Sequence, residues 1–319
     1  MRGIVKRFGA FTADDHVDLD IRAGEAHALL GENGAGKSTL AKLIAGVYQP
    51  TGGSIALRGQ PIHLSSPKMA LDQGIALIHQ EPLTFPDLDV AENVFVGHQP
   101  RSGVRIDWAG MRTRASAILE SIGAAFPVDA RVASLSVADR QLVELAAALS
   151  HDAKVLLFDE TTASLTPKEV SELFTVIRRL KAQGCAIAFV SHHLDEVFEI
   201  ADRITVLRDG EKIGERIPSS SSIGEIVSMM VGRDVSFDRH HRQVDSDALT
   251  LDAHSIAVPG SVHGVSLTVR KGEIVGLGGL VGAGRTEFCR AIFGIGQSTG
   301  EVRIGGRTVK IRNPRAAMK

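Results

Sequence analysis

Short apolar runs alternate with polar and amphipathic segments along the first two hundred residues. Four apolar runs have the length of buried strands, at residues 26–30, 75–78, 155–158 and 186–190. Segments with helical signals lie between them. An alternation of this kind predicts an α/β fold with a largely parallel core sheet.

The helices are predicted from periodicity and from capping residues. Apolar positions spaced by three and four residues indicate helices over 37–45 and around 142–149, and a further helix is expected over 194–201. Asp107 and Gly123 delimit one more helix, and a capping box at 166–169 opens another that runs to Gln183. Asp209-Gly210 predicts a hairpin turn between strands at 203–208 and 212–215.

The chain contains a long internal repeat. Residues 17–25 reappear as residues 265–273, so that Gly24 corresponds to Gly272 at an offset of 248 positions. A period this long indicates domain duplication, since solenoid units run to about 20–50 residues. We therefore predict a complete first domain over 1–232, a polar linker over 233–247, and the first part of a second copy over 248–319.

The second copy ends at Lys319, before it reaches a counterpart of Gln80. It supplies strands and one helix, without counterparts of the buried runs at 155–158 and 186–190. A piece this small is expected to be marginally stable unless it is completed or packed on the first domain.

Composition narrows the class of protein. Lys and Arg number 36 against 37 Asp and Glu, which removes the basic surface that favours nucleic-acid binding. Two cysteines far apart in sequence exclude a disulfide scaffold. Because no apolar run approaches the roughly 20 residues of a membrane span, and the first residues lack a secretory signal, we expect a cytosolic protein.

A phosphate-binding motif lies directly after the first apolar run and opens the first helix. It comprises Gly31, Glu32, Asn33, Gly34, Ala35, Gly36, Lys37 and Ser38, and is followed by Thr39. Glycines let backbone N–H groups wrap around phosphates, and the helix N-terminus adds positive potential. Lys37 is expected to reach the terminal phosphates and Ser38 to bind Mg²⁺. A glycine-rich turn with a solvated lysine is the alternative.

Two carboxylates, Asp159 and Glu160, follow the apolar run at 155–158. At the carboxyl edge of a parallel sheet, Asp159 can face a Mg²⁺ ion beside the phosphate loop. Glu160 can then polarise the attacking water as a general base. Apolar strands that end in acids are common, so this prediction depends on the phosphate loop upstream.

Taken together, these motifs resemble the ATP-binding-cassette (ABC) ATPases. Gln80 resembles the glutamine that touches Mg²⁺ and couples to the membrane partner, His192 the switch histidine, and Phe8 the aromatic residue that stacks on adenine. Residues 162–166 resemble the loop that follows the catalytic glutamate. The family's signature segment is matched by Leu135, Ser136, Val137, Ala138, Asp139, Arg140 and Gln141.

The sequence departs from the family pattern at three places. Ala138 replaces the signature glycine, and Thr161 stands where proline commonly follows the acid. The second copy has arginine in place of the phosphate-loop lysine, a residue with a longer, planar charged group. That degenerate loop comprises Gly279, Leu280, Val281, Gly282, Ala283, Gly284, Arg285 and Thr286.

The resemblance implies a P-loop NTPase fold of the ABC ATPase type, with a mostly parallel core sheet and antiparallel β and helical subdomains. The tandem arrangement and Arg285 look like the ATPases of bacterial monosaccharide importers of the ribose, galactose and xylose type. This implies ATP and Mg²⁺ as ligands, and membrane permease subunits and, indirectly, a periplasmic sugar-binding protein as partners. It places the protein peripherally on the cytoplasmic face of the inner membrane.

In that family ATP is sandwiched between two cassettes, so a second cassette or a second copy is needed to complete the site. The resemblance therefore implies asymmetric sites, with the one containing Arg285 hydrolysing weakly. Two alternatives stay open: a non-hydrolysing ATP-binding module, and a soluble tandem-cassette protein that acts on ribosomes or DNA. Balanced charge and a short linker disfavour the second of these, and no nucleic-acid partner is expected.

Overall fold

The computed structural model describes residues 1–232, 248–279 and 282–318. The predicted linker at 233–247 lies outside the described residues. The chain divides into two compact units, represented by residues 1–232 and by the described residues from 248 onwards. Among the described helices, none combines the length and the apolar composition that crossing a bilayer requires.

The described part of the first unit contains twelve strands and eight α-helices. The strands are β1 (Arg2–Phe8), β2 (Phe11–Val17), β3 (Ala26–Leu30), β4 (Gly52–Leu57), β5 (Gln60–Ile62), β6 (Ile75–Ile78), β7 (Arg101–Ser102), β8 (Arg105–Ile106), β9 (Val155–Asp159), β10 (Ala186–Val190), β11 (Arg203–Arg208) and β12 (Glu211–Arg216). The helices are α1 (Lys37–Ile44), α2 (Pro67–Asp72), α3 (Val90–Val94), α4 (Trp108–Ile122), α5 (Val137–Ser150), α6 (Pro167–Ala182), α7 (Leu194–Ile200) and α8 (Ile223–Val231).

The core is a six-stranded sheet in the order β12-β11-β3-β10-β9-β6. The pairs within β11-β3-β10-β9-β6 are parallel, and only β12 runs antiparallel, joined to β11 through the predicted hairpin turn. Every residue of β3 and β10 is buried, as continuous apolar runs require of strands covered on both faces. This confirms the predicted α/β fold with a mostly parallel core sheet.

Two smaller layers accompany the core sheet. An antiparallel sheet has the order β2-β1-β4-β5, and α3 and α4 pack on α5 to form a helical layer. These correspond to the antiparallel β and helical subdomains that the family resemblance implies.

The helix ends follow the capping residues read from the sequence. Asp107 accepts from the Gly110 N–H to cap α4, which ends at Gly123 in the left-handed conformation. Thr166 and Glu169 form the predicted capping box of α6. The helix predicted around 142–149 begins earlier, at Val137, because Ser136 caps it.

The second unit repeats the antiparallel layer of the first. Its strands and helices are β13 (Leu249–Val258), β14 (Val262–Arg270), α9 (Arg285–Ile292), β15 (Thr299–Ile304), β16 (Arg307–Val309) and α10 (Pro314–Ala317). The strand order β14-β13-β15-β16 matches β2-β1-β4-β5. The sequence predicted one helix here, and the short α10 adds a second because Asn313 caps a turn that begins at Pro314.

The apolar segment 274–278 is the repeat counterpart of β3, yet it forms no strand. Its first residue, Ile274, is 98% exposed. In the first unit β3 is held between β10 and β11, and the described residues of the second unit contain no counterpart of either strand. A central strand without neighbours has no backbone partners, so the apolar pattern alone does not form it.

Candidate functional site

The phosphate loop connects β3 to α1, and its lysine side chain is hydrogen-bonded back to the loop backbone. Lys37 Nζ donates to the carbonyl oxygens of Gly31 at 2.9 Å and Glu32 at 3.0 Å. Only 5% of Lys37 is exposed. Burial lowers the pKa of the Lys37 ammonium, and the carboxylates of Glu160 and Asp159 oppose that shift. The loop thus holds a buried cation that is hydrogen-bonded to carbonyls alone, which fits a polyanionic ligand such as a nucleotide phosphate.

The start of α1 is built for close backbone approach. Gly36 caps the helix in the left-handed conformation at φ 101°, and no side chain caps it. A Cβ at Gly36 would collide with Asp14 Oδ1 and would lie 2.8 Å from the Ala13 carbonyl oxygen, so only glycine fits. The N–H groups of the first turn therefore face no capping side chain, as an anion site at a helix N-terminus requires.

Asp159, the last residue of β9, lies beside the phosphate loop. Ser38 Oγ donates to Asp159 Oδ1 at 2.9 Å, although the two residues are 121 positions apart. A hydroxyl and a carboxylate are oxygen ligands of the kind that Mg²⁺ prefers. Gln80 follows β6 at the same edge of the sheet and is exposed, but it makes no hydrogen bond to Ser38 or Asp159 in the described chain.

Glu160 and His192 meet because β9 and β10 are parallel neighbours, with Asp159 opposite Val190. The Glu160 N–H donates to the Val190 carbonyl oxygen at 2.9 Å, and His192 Nδ1 lies 3.7 Å from Glu160 Oε1. Glu160 has φ 52°, a left-handed conformation that is uncommon for a residue with a side chain. Backbone strain of this kind concentrates at functional sites.

The signature segment forms the start of α5. Ser136 is exposed, accepts from the Asp139 N–H at 3.1 Å and donates to Asp139 Oδ2 at 2.8 Å. Leu135 and Ala138 are half-buried, Val137 is exposed, and Gln141 is buried with its Nε2 donating to the Thr161 carbonyl oxygen at 2.6 Å. Within the described residues no hydrogen bond or ion pair joins this segment to the phosphate loop of the same unit.

Phe8 lies at the end of β1 with 42% of its surface exposed. Its ring packs edge-on against Tyr48, with centroids 5.2 Å apart, and Lys6 Nζ lies 4.8 Å from the Phe8 centroid. The outer part of the ring stays accessible for stacking on a flat ligand.

The second phosphate loop keeps its glycines but loses the lysine contacts. Gly279 has φ 156°, and Gly284 has φ 82° and precedes α9 without a side-chain cap. Arg285 and Thr286 are exposed, whereas Lys37 in the first unit is buried and bonded to two carbonyls. The described part of the second loop therefore has glycine conformations similar to those of the first loop, but its arginine is not buried within the loop as Lys37 is.

Sequence reasoning missed a buried carboxyl behind the phosphate loop. Asp14 has no exposed surface, and neither of its carboxylate oxygens has a hydrogen-bond partner in the described structure. Burial raises the pKa of Asp14 to about 7. The internal repeat could have indicated this burial. The residue of the second copy that corresponds to Asp14 is Val262, beside Gly284, and an apolar residue at the equivalent position indicates a buried site.

Comparisons with known proteins agree with this geometry. Residues 15–163 match the family model described as ABC transporter. The full chain is 46% identical to ribose import ATP-binding protein RbsA 1 of Rubrobacter xylanophilus and 44% identical to ribose import ATP-binding protein RbsA 2 of Escherichia coli O157:H7. It spans 64% and 63% of the lengths of these two relatives.

Solved structures show the same fold. A nucleotide-free ATP-binding cassette from an ABC transporter is 26% identical, with a TM-score of 0.62 over 72% of this chain and 93% of that one. The ADP conformation of MJ1267, an ATP-binding cassette of an ABC transporter, is 27% identical, with a TM-score of 0.64 over 73% and 97% of the respective chains. The first unit therefore has the fold of an ABC ATPase cassette, and the chain is similar to ABC transporter ATP-binding proteins.

Proposed function

We propose that this chain is the ATP-binding and ATP-hydrolysing part of a bacterial sugar importer. The proposal rests on the arrangement of side chains at the carboxyl edge of the core sheet. The phosphate loop there holds Lys37, Ser38 is hydrogen-bonded to Asp159, and the next residue, Glu160, lies beside His192. The relatives named as ribose import ATP-binding proteins support the substrate class.

The proposed roles follow from the groups that each residue presents. Backbone N–H groups of the loop from Gly31 to Thr39 and the Lys37 ammonium bind the ATP phosphates. Ser38 and Asp159, with Gln80, would hold Mg²⁺, which would neutralise charge on the phosphates. Glu160 takes the proton of the attacking water. His192, whose Nδ1 lies 3.7 Å from Glu160 Oε1, would orient that water or the terminal phosphate.

Other residues are proposed to contact the adenine base and the outer side of the phosphates. Phe8 presents an accessible ring for the adenine base. We propose that Ser136, Ala138 and the start of α5 contact ATP held by a second cassette or a second copy, since α5 makes no polar contact with its own phosphate loop. A complete first cassette over 1–232 and the start of a degenerate cassette over 248–319 are part of this proposal.

An apolar surface beside Gln80 supports a membrane permease as the partner. Leu83, Phe85 and Val96 are large side chains with 67%, 54% and 39% of their surface exposed. Leu83 and Val96 line one groove together with His79, the residue before Gln80, and exposed apolar patches mark protein interaction sites. With a permease bound here, the protein would lie on the cytoplasmic face of the inner membrane, and a periplasmic sugar-binding protein would be an indirect partner.

A pair of variants tests the proposed site. Lys37→Ala is expected to lower ATP affinity about 100-fold or more, because it removes a charge about 4 Å from the phosphates. Glu160→Gln is expected to keep ATP affinity within about 3-fold while hydrolysis falls roughly 100-fold or more, since the shape survives and the base does not. Binding is measured with a fluorescent ATP analogue and hydrolysis by phosphate release.

Lys68→Ala is the control, because Lys68 is exposed and pairs with Asp72 on α2. Unchanged ATP affinity in Lys37→Ala would refute the proposed phosphate site. Hydrolysis at the parent rate in Glu160→Gln would refute the assignment of the base. A parent chain that binds ATP but releases no phosphate would support the alternative of a non-hydrolysing ATP-binding module.

A further inference from the structure

One carboxylate joins the two loops that follow β9 and β10. Thr162 Oγ1 donates to Glu196 Oε2 at 2.7 Å, and Ser191 Oγ donates to the same oxygen at 3.3 Å. Thr162 lies two positions after Glu160, and Ser191 directly precedes His192. Glu196 therefore accepts hydrogen bonds from both loops, and none of its described hydrogen bonds goes to the side chain of Glu160 or His192.

The hydroxyls bound by Glu196 are buried. Thr162 is 3% exposed and Ser191 is 1% exposed, so each hydroxyl depends on a protein partner. Ser191 Oγ also accepts from the His193 N–H at 3.0 Å, which extends the network through the residue pair that flanks His192. Glu196 stands in the first turn of α7, and Val197 and Ile200 anchor that helix in the core.

The loop after Glu160 is held from its other side by α5. Gln141 Nε2 donates to the Thr161 carbonyl oxygen, and Thr161 is completely buried. Two consecutive residues of the loop are thus hydrogen-bonded to different helices, Thr161 to α5 and Thr162 to α7. Glu160, with its left-handed backbone, sits at the start of this loop, and such a conformation persists only where the surroundings hold it.

We propose that Glu196 is a positioning residue that sets the placement of Glu160 relative to His192 through Thr162 and Ser191. The proposal rests on the ATP hydrolysis proposed above. Catalytic groups must be held within about 0.5 Å of their productive geometry, and a displacement of about 1 Å can cost 100-fold in rate. Apart from this network, the described contacts that relate residues 160 and 192 are the 3.7 Å approach of His192 Nδ1 to Glu160 Oε1, the Glu160 N–H to Val190 bond and the end of the β9–β10 pairing.

Two matched pairs of variants test this in the full chain. Thr162→Val and Glu196→Met keep the approximate shape and remove a donor or the acceptor, whereas Thr162→Ser and Glu196→Gln keep them. We expect kcat for ATP hydrolysis to fall about 10- to 100-fold in the first pair, with KM and ATP-analogue affinity within about 3-fold of the parent. The second pair is expected to retain most of the parent rate.

Glu199→Met is the control on the same helix, because Glu199 pairs with Arg178 at the surface at 2.6 Å. It is expected to leave kcat unchanged. The double variant Thr162→Val/Glu196→Met is expected to be no slower than Glu196→Met alone, since Glu196→Met already breaks the contact that Thr162→Val removes. Parent-like kcat in the first pair, or multiplying effects in the double variant, would overturn the proposal.

Hydrogen exchange supplies a readout that does not require hydrolysis. In Thr162→Val, the amides of residues 191–193 are expected to exchange at least about 5-fold faster than in the parent, while those of β3 and α6 stay unchanged. Unchanged exchange at 191–193 would overturn the contact through Glu196. A parent chain without ATPase activity would instead contradict the proposed function, and the exchange result would still decide the role of Glu196.

Discussion

Asp14 shows how one residue can oppose the stability of a fold. It lies against Gly36, the residue that caps α1, and both of its carboxylate oxygens are buried without partners in the described structure. Ionised carboxylates lose hydration when they are buried, and this accounts for the rise of the Asp14 pKa to about 7. The folded chain therefore keeps a proton on Asp14 at pH values where the unfolded chain has lost it.

This pKa predicts a specific pH dependence of stability. Because the folded-state pKa exceeds the unfolded value of about 3.9, Asp14 costs progressively more stability as pH rises from about 4 to 7, and the cost is constant above 7. Relative to the parent, Asp14→Asn is expected to gain about 2–3 kcal/mol between pH 5 and pH 8. Urea unfolding followed by the fluorescence of Trp108, the single tryptophan, measures the first unit.

Glu172→Gln is the control, since Glu172 is an exposed carboxyl of the same unit that pairs with Lys168. It is expected to change the unfolding free energy by a similar small amount at both pH values. A difference between Asp14→Asn and the parent that does not vary with pH would show that Asp14 is not protonated in the folded chain.

The first turn of α5 combines a structural and a proposed functional role in Ser136. As the N-cap it satisfies the Asp139 N–H, so Ser136→Ala is expected to lower the unfolding free energy by about 1 kcal/mol. Ser136→Asn is expected to stay within a few tenths of a kcal/mol of the parent, because asparagine caps helices as well as serine does. Urea unfolding monitored at Trp108 applies here too, since α4 packs on α5.

ATP turnover of the same two variants separates the roles of Ser136. If Ser136→Asn keeps stability and loses turnover, the hydroxyl itself serves the nucleotide. Equal stability of Ser136→Ala and the parent would contradict the capping role.

At the scale of elements, the ends of two predicted helices show how far local sequence determines structure. The ends of α4 and α6 depend on residues within a few positions of each other, and the sequence located both. The same local logic places glycines before α1 and α9 in left-handed conformations. Local sequence does not decide segment 274–278, which is the apolar counterpart of β3 and forms no strand, because a strand also needs neighbours that lie elsewhere in the chain.

At the scale of the whole molecule, the two units differ in the size of their cores. The first unit buries both faces of its parallel sheet, whereas the buried core among the described residues of the second unit consists of Ala253, Ile256, Val262, Phe288 and Ala291. We therefore expect limited proteolysis of the chain to cut within residues 248–318 before it cuts within 1–232, with the products identified by mass spectrometry. A protected fragment that covers 248–318 would contradict this expectation.

The sequence by itself determined the features that depend on neighbouring residues: the phosphate loop, the apolar strands, the helix caps and the repeat of the two units. Tertiary structure decided which distant side chains meet. The order of the parallel strands brings Asp159 to Ser38 and Glu160 to His192, and it places Glu196 between Thr162 and Ser191. It also buries Asp14 behind Gly36. Periodicity shows whether a residue faces a core, but strand order and packing decide which partner it finds there, or whether it finds one.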